Sequence, residues 1–318
     1  MVASVQSRTQ GGQRAALVDD RVHAVPSRPA AGTDPAALAP LDIFDPSEHE
    51  RQFLVLRVAR LIRRGTLRAD GLFAGRDEPD PAVTAIIPAR NEVATIVRVV
   101  EACRRYAGTV LVVEGGSTDG TAEVAAAAGA RVIRDPGLGK GAALRCAVEA
   151  VETPICVFID ADGSHDPIDI PLLVAPIADG TADHVGGSRL LGGSDELHGG
   201  GDEFLRLAGS ALITYLINRR YGTKLSDSQN GFRAIRTEVF RSLRLRSRHT
   251  TIEMEMIMAT LAAGHRIAEV PTHERPRAAG FSKISLASPG IWLAYGWALL
   301  SGLCRRRSRA HTGPVLAP

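Results

Sequence analysis

The chain has few cysteines, little net charge and no visible internal repeat. Its four cysteines are scattered and form no CxxC pair, so we expect no disulfide framework and a reducing compartment. A net charge of +3 over 318 residues is too small to indicate nucleic-acid binding, and no nucleic-acid partner is expected. The N-terminus lacks the apolar core of a secretory signal, which favours a cytoplasmic protein.

Composition and hydrophobic patterning divide the chain into five segments. Residues 1–40 are rich in Ala, Pro, Gly, Ser and Arg without any period, which predicts disorder. Residues 41–80 are predicted to form a helical extension and a linker, and residues 81–286 an α/β domain. Residues 287–304 are almost entirely apolar and predict a helix, and a basic tail follows over residues 305–318.

Strand and helix patterns alternate from residue 82 onwards. The predicted strands cover 82–88, 109–114, 131–134 and 155–160, and the helices between them cover 92–106, 118–128 and 140–151. This alternation favours an α/β fold with a mainly parallel sheet covered by helices on both faces. The less regular second half predicts strands at 183–190 and 266–271, helices at 203–221 and 251–263, and a glycine-rich loop at 191–202.

Two carboxylates follow the apolar run that ends the fourth predicted strand. Asp160 and Asp162 are one residue apart, and residues i and i+2 of an extended segment point to the same side. Carboxylate oxygens are the ligands that Mg²⁺ and Mn²⁺ prefer, often shared with substrate phosphates. The pair therefore predicts a divalent metal site, although a solvated turn followed by a helix cap is an alternative interpretation.

Three further motifs lie at predicted strand-to-helix turns, at residues 88–92, 114–121 and 137–141. The carboxyl ends of parallel strands meet at one edge of a sheet, where open α/β sheets bind their ligands. The glycines in these motifs allow tight turns and a close approach of the backbone to a ligand. Singly, Asn91 and Thr118 are equally consistent with helix caps. Together with the carboxylate pair, the motifs predict a nucleotide-binding edge.

Seven motifs follow one another between residues 82 and 285: IIPARNE, VVEGGSTDGT, GLGKGAALR, FIDADGSHDP, GGSRL, SDSQNGFRAIR and EVPTHERPRAAGFSK. In order and spacing they resemble family 2 glycosyltransferases with the GT-A fold, a Rossmann-like nucleotide-binding sheet with helices on both faces. The subgroup that they resemble is the dolichol-phosphate and polyprenyl-phosphate mannosyl- and glucosyltransferases. The resemblance implies an inverting, metal-dependent transfer of a hexose from GDP-mannose or UDP-glucose to a polyprenyl phosphate.

The resemblance also implies roles for individual residues. Nucleotide-sugar binding is expected at Pro88, Ala89, Glu92, Glu114, Lys140 and Asp160, and Mg²⁺ or Mn²⁺ binding at Asp160 and Asp162. The catalytic candidates are Asp227 and Arg233, and the candidates for binding an acceptor phosphate are Arg189, Arg275, Arg277 and Lys283. The family often has two aspartates where this chain has Glu114 and Gly115, which leaves the base, guanine or uracil, open.

Two other functions remain open at the level of the sequence. A soluble hydroxyl acceptor would make Asp227 the best candidate for a general base, whereas a phosphate acceptor needs positioning cations more than a base. A non-catalytic protein that binds nucleotide sugars is the third alternative, against which the intact Asp160, Asp162 and Asp227 argue.

The apolar segment 287–304 predicts contact with a membrane surface. It contains Trp292, Tyr295 and Trp297, and three arginines follow it, a combination typical of membrane interfaces. Its length is at the lower limit for a spanning helix, which needs about 20 residues. We therefore expect interfacial docking ahead of core burial, and spanning last, which places the protein peripherally at the cytoplasmic membrane face.

Overall fold

The computed structural model describes residues 78–135, 137–195, 201–278 and 289–305. The predicted disorder of residues 1–40 and nearly all of the helical extension and linker lie outside the described residues. So do Lys283, residues 196–200 of the glycine-rich loop and the tail after residue 305.

A seven-stranded sheet forms the centre of the described chain. Its strands are β1 (Asp80–Ala89), β2 (Ala107–Glu114), β3 (Arg131–Arg134), β4 (Ile155–Phe158), β5 (His184–Ser188), β6 (Arg233–Arg236) and β7 (Ile267–Pro271). Across the sheet they follow the order β3-β2-β1-β4-β6-β5-β7. The central strands are largely apolar because helices cover both faces of the sheet; in β1, for example, residues 83–87 are all buried.

The sheet is mixed, because β6 runs against both of its neighbours. It pairs antiparallel with β4 and β5, whereas the other pairs of described strands are parallel. The sequence did not predict β6, because its four residues lie in the less regular second half, outside the alternation of strand and helix that marked the similar four-residue strand β3.

β4 ends at Phe158, two residues before Asp160. Its ladder with β6 runs from Ile155 opposite Arg236 to Phe158 opposite Arg233, the residue at which β6 begins. The prediction that Asp160 and Asp162 share one side of a strand is therefore wrong, because Asp162 lies in a turn after the ladder has ended.

Helices pack on both faces of this sheet. In chain order they are α1 (Ile96–Cys103), α2 (Thr121–Ala127), α3 (Lys140–Glu149), α4 (Ile170–Ala178), α5 (Arg189–Gly192), α6 (Gly201–Tyr221), α7 (Thr237–Ser242), α8 (Ile252–Ala263) and α9 (Pro289–Leu303). The sequence did not predict α4 or α7. The strand predicted at 183–190 ends at Ser188, because the Ser188 hydroxyl caps α5 by accepting a hydrogen bond from the Leu191 amide at 3.2 Å.

Three buried clusters hold the elements together. One includes side chains of α1 and α4 on one face of the sheet, and a second includes side chains of α3, α7 and α8. The third joins α6, α8 and α9, where Ala298 of α9 is buried in the same cluster as Ile217 and Met258. The helices therefore bury the sheet on both sides and leave its carboxyl-end loops free to form a site.

The outer face of α9 stays apolar and exposed. Leu293, Trp297 and Leu300 are between 60% and 75% exposed. Within the described parts of the chain, no helix combines the length and the hydropathy needed to cross a bilayer.

Candidate active site

The nucleotide-binding candidates meet at the carboxyl ends of β1 and β2. Ala89 ends β1 and lies opposite Glu114, the last residue of β2, with Pro88 directly before it. Glu114 is buried, and its carboxylate accepts a hydrogen bond from the Ser117 amide. The parallel register of the two strands thus brings residues that are 25 positions apart to one edge of the sheet.

Two loops at this edge are braced against each other. The Thr118 amide donates to the Asn91 side-chain oxygen at 3.0 Å, and the Asn91 amide donates to the Ser117 hydroxyl at 2.9 Å. Asn91 has a φ of 54°, a left-handed conformation that asparagine tolerates better than most residues. The Glu92 amide donates to the Thr121 hydroxyl at 2.9 Å. Asn91 and Thr118 therefore link the loops and do not cap α1 or α2.

Lys140, the first residue of α3, is held between two carboxylates. Its ammonium lies 2.6 Å from Asp160 Oδ1 and 2.7 Å from Glu253 Oε1 on α8. Burial alone would lower the pKa of Lys140, but the two carboxylates raise it above its ordinary value. Burial would likewise raise the pKa of Asp160, whereas the Lys140 ammonium holds it below its usual range. Both groups are therefore charged, and Asp160 offers an ionised oxygen to a ligand.

Asp162 is bound by the chain segment that follows β7. Arg277 lies 2.8 Å from Asp162 Oδ2, and the Ser164 amide donates to Asp162 Oδ1 at 3.0 Å. Backbone hydrogen bonds from Arg275 to Ser164 and from Ala278 to Asp162 align the two segments. Arg275 in turn pairs with Asp166 at 3.1 Å. Two of the predicted phosphate-binding arginines thus lie directly beside the carboxylate motif.

The carboxylate pair offers the oxygen donors that a divalent cation binds, and no third His, Cys, Asp or Glu completes a metal-binding cluster with them among the described residues. Asp160 and Asp162 supply hard oxygen donors, each balanced by a nearby cation. The neighbouring His165 is buried, and its Nδ1 has no hydrogen-bond partner among the described residues. Its ring stacks on Phe232 with a centroid distance of 5.2 Å. Burial lowers the pKa of His165, which leaves a neutral imidazole facing this acidic region.

Asp227 and Arg189 form a bidentate pair. Arg189 Nε lies 2.7 Å from Asp227 Oδ2, and the second guanidinium nitrogen lies 3.1 Å from Oδ1. Burial alone would raise the pKa of Asp227, but Arg189 holds it below the usual range. Burial alone would lower the pKa of Arg189, but the Asp227 and Glu274 carboxylates raise it above its ordinary value. The contact with Glu274 is 3.4 Å long. A carboxylate held in this way is a weak base.

Arg233 lies under the site and not on its surface. It is 1% exposed, and its guanidinium donates to the backbone carbonyls of Glu253 and Asn230. In this geometry the Arg233 side chain is therefore not accessible to a substrate, as a catalytic residue would have to be. Its contacts instead join the loop before β6 to the start of α8. Lys283 lies outside the described residues.

Three buried glutamates of the site were missed by the sequence analysis. Glu253 binds Lys140, Glu274 binds Arg189 and the Ser194 hydroxyl, and Glu269 binds the loop that carries Asp227. One signal was available for the first: Glu253 lies in the helix IEMEMIMATLAA, where a charge among apolar residues requires a buried partner.

Comparisons with known proteins agree with this geometry. The sequence profile of glycosyl transferase family 2 matches residues 84–244, about half of the chain. The chain belongs to this family, and the enzyme class predicted from its motifs is confirmed. The mixed sheet and its helices have a GT-A-like architecture.

Several curated relatives come from Haloferax volcanii. Glycosyltransferase AglJ is 35% identical over 204 residues, which cover 64% of this chain and 65% of AglJ, just under two thirds of its length. A dolichyl-phosphate hexose transferase is 32% identical over 163 residues, which cover 51% of this chain and 68% of the relative.

A solved structure gives the fold and a metal for comparison. Glucosyl-3-phosphoglycerate synthase from Mycobacterium tuberculosis, in complex with Mn²⁺, UDP-glucose and phosphoglyceric acid, superposes with a TM-score of 0.56 at 25% identity. The match covers 73% of this chain and 86% of that one.

Proposed function

We propose that this protein is an inverting, metal-dependent hexosyltransferase that uses a nucleotide sugar as donor and a polyprenyl phosphate as acceptor. The observation that carries the acceptor assignment is the Asp227–Arg189 pair, in which two hydrogen bonds at 2.7 and 3.1 Å occupy the carboxylate. A hydroxyl acceptor needs a base to remove its proton, and Asp227 is a weak one. A phosphate acceptor is already anionic and needs cations to position it.

The donor would lie across the carboxyl ends of β1, β2 and β4. Pro88, Ala89 and Glu92 would line the base and ribose, and Glu114 would contact the base edge. Asp160 and Asp162 would hold Mg²⁺ or Mn²⁺, an assignment supported by the Mn²⁺ bound in the structural neighbour. When bound, such an ion stabilises the charge that builds up on the leaving diphosphate. Lys140 would keep the Asp160 carboxylate ionised and oriented.

Cations next to the carboxylate motif would receive the acceptor phosphate. Arg189, Arg275 and Arg277 each pair with a carboxylate. Arginine suits this task because its planar fork binds phosphate oxygens bidentately. The relative that acts as a dolichyl-phosphate hexose transferase supports a lipid-phosphate acceptor for this chain.

A lipid acceptor requires the site to reach a membrane, and the exposed face of α9 is our candidate for docking at its cytoplasmic surface. Buried leucines alternate with exposed arginines over residues 243–246, and the segment from residue 244 to 250 contacts Tyr295 of α9 and Arg305 after it. Arg305 donates to the Arg244 carbonyl at 3.0 Å, and the Tyr295 hydroxyl to the Thr250 hydroxyl at 3.3 Å. Apolar aromatic residues flanked by arginines are typical of anionic membrane interfaces.

A second candidate keeps the donor chemistry and uses a soluble acceptor. It is favoured by the structural neighbour, which is solved with phosphoglyceric acid. Such an acceptor would still present a phosphate to the arginines, while its hydroxyl would need a base other than a strongly paired Asp227.

A donor-by-acceptor matrix tests the proposal. Purified protein is assayed with GDP- and UDP-sugars against a polyprenyl phosphate, phosphoglyceric acid and water-soluble alcohols, with Mg²⁺ or Mn²⁺. Transfer to the polyprenyl phosphate is expected, and transfer only to the soluble compounds would favour the second candidate.

Asp162→Asn should reduce turnover by about two orders of magnitude or more without unfolding the protein. Near-normal turnover of that variant, or of the wild type in excess EDTA, would exclude the metal assignment.

A further inference from the structure

Glu269 of β7 is a buried carboxylate that accepts hydrogen bonds from one short loop. The Asp227 amide donates to Glu269 Oε1 at 2.8 Å. The Ser226 amide and hydroxyl donate to Oε2 at 2.7 and 2.8 Å. Glu269 is 5% exposed and lies opposite Gly186 of β5 in the sheet. The carboxylate thus fixes both residues of the loop to the sheet.

The same loop is joined to the start of α5 by two further contacts. The Ser226 and Ser188 hydroxyls lie 2.7 Å apart, and Ser188 is the N-cap of α5. Asp227 binds Arg189, the first residue of α5, through the guanidinium and also through the Arg189 amide at 3.3 Å. A continuous set of hydrogen bonds therefore runs from Glu269 through the loop to Arg189.

We infer that Glu269 is a positioning residue, which holds the Ser226–Asp227 loop so that Arg189 presents its guanidinium to the acceptor phosphate. Two backbone amides and a hydroxyl point at Glu269, and a carboxylate accepts from all of them. A glutamine of the same shape has one oxygen and a donating amide group, so at least one donor would face a donor. Asp227 would then shift, and the Arg189 guanidinium would lose the orientation that its bidentate pairing with Asp227 gives it.

The environment of Glu269 disfavours its ionised form. Burial, with a further contribution from the Asp227 carboxylate, raises the pKa of Glu269 to about 7 in spite of the hydrogen bonds that favour its ionised form. Asp227 is the charged neighbour that acts on it, and Asp227 is itself neutralised by Arg189.

The test compares Glu269→Gln with Glu255→Gln. Glu255 of α8 is equally buried, accepts the backbone amides of Arg246 and Ser247, and pairs with Arg305 at 2.6 Å. We expect Glu269→Gln to raise the KM for a short, soluble phosphate acceptor roughly tenfold, with little change in the donor KM. Glu255→Gln should lower thermal stability and leave the KM for that soluble acceptor unchanged, because its described hydrogen bonds do not reach Ser226 or Asp227.

The pH profile supplies a readout that a structural role would not move. Below a pH of about 7 the protonated Glu269 would present an O–H to donors, so the wild-type acceptor KM should rise as the pH falls through that value. The inflection should be absent from Glu269→Gln. Ionisation of the acceptor phosphate is common to both proteins, so the difference between their profiles reports on Glu269. Identical profiles would overturn the inference.

Two further measurements separate this inference from the proposed function on which it rests. Hydrogen exchange of the peptide around residues 225–229 should be faster in Glu269→Gln than in wild type, and unchanged exchange would overturn the anchoring role. Calorimetric binding of inorganic phosphate should be lost in Arg189→Gln and weakened in Glu269→Gln. Binding that is lost in Arg189→Gln but unchanged in Glu269→Gln would overturn the inference alone. Binding that does not depend on Arg189 would overturn both the inference and the phosphate role of Arg189.

Discussion

At the scale of single residues, Gly231 lies where any side chain would press on two charged groups. A Cβ at this position would lie 2.8 Å from Asp160 Oδ2 and 3.1 Å from Lys140 Nζ. Both atoms are ends of side chains, so Gly231→Ala should displace them without disturbing the backbone. We expect Mn²⁺ affinity, measured by electron paramagnetic resonance, to fall about tenfold while the thermal midpoint changes little.

Gly296→Ala is the matched control for this substitution. Gly296 lies in α9, where a Cβ would meet no atom within 4 Å, so its replacement should leave Mn²⁺ binding unchanged. Equal Mn²⁺ affinity of Gly231→Ala and wild type would contradict the assignment of Asp160 as a metal ligand.

Individual site residues could be predicted from the sequence better than the contacts between them. The motifs marked Asp160, Asp162, Lys140 and Asp227, and the structure brings Lys140 to Asp160 and Arg277 to Asp162. Glu253 stands out as a charge in an apolar helix, but its pairing with Lys140 could not be inferred, because the two residues are distant in the chain. Glu269 likewise lies more than 40 residues from the loop that it binds. A local pattern can mark a buried charge, but it does not identify a distant partner.

At the scale of elements, Asp183 joins the ends of three strands. It lies directly before β5 and accepts hydrogen bonds from the amide, Nε and a terminal nitrogen of Arg266, next to β7, at 2.9, 3.2 and 3.0 Å. Arg236 of β6 lies 3.4 Å away. Burial alone would raise the pKa of Asp183, but these contacts hold it below the ordinary value of 3.8.

Asp183 should therefore stabilise the fold in a pH-dependent way. Because its pKa is lower in the folded state, its contribution is present above a pH of about 4 and is lost as the pH falls through the folded-state pKa. Asp183→Asn should lower the free energy of unfolding at neutral pH and flatten the acid limb of its pH dependence. Chemical denaturation at several pH values measures both effects. Asp179→Asn, at an exposed position four residues earlier, should change neither.

The boundaries of the elements were the least predictable part of the fold. Alternating strand and helix patterns predicted β1 to β4 within a few residues, because these strands alternate with clear helical patterns. β6 is no less strand-like than β3, but it falls outside that alternation, and its position between β4 and β5 depends on partners distant in the chain. The ladder with β6 also decides where β4 ends, so the geometry of the carboxylate motif could not follow from local sequence.

At the scale of the whole molecule, α9 is expected to couple membrane contact to lipid-acceptor use. Deleting the helix would uncover the buried cluster around Ala298, so substitution of its exposed face is the cleaner experiment. The combined variant Leu293→Ser, Trp297→Ser and Leu300→Ser should lose cosedimentation with liposomes containing phosphatidylglycerol. Transfer to a long-chain polyprenyl phosphate should slow, while transfer to a short, soluble phosphate acceptor should not.

The exposed arginines of residues 244–248 are expected to add a separate electrostatic contribution to membrane binding. Arg244→Gln, Arg246→Gln and Arg248→Gln together should weaken binding to anionic liposomes and reduce its dependence on salt, with no effect on neutral liposomes. Arg131→Gln, an exposed arginine on β3, is the control. Normal liposome binding by both combined variants would contradict docking through this surface.

The insertion of β6 between β4 and β5 has a consequence for how the chain is made. The strands β1 to β4 form parallel pairs with one another, so they can associate before the rest of the chain has been synthesised. β5 pairs only with β6 and β7 among the described strands, both of which are synthesised later. A nascent chain that ends before residue 233 therefore carries an unpaired strand whose residues are all buried in the complete fold. Chaperone binding during synthesis should be strongest in that interval.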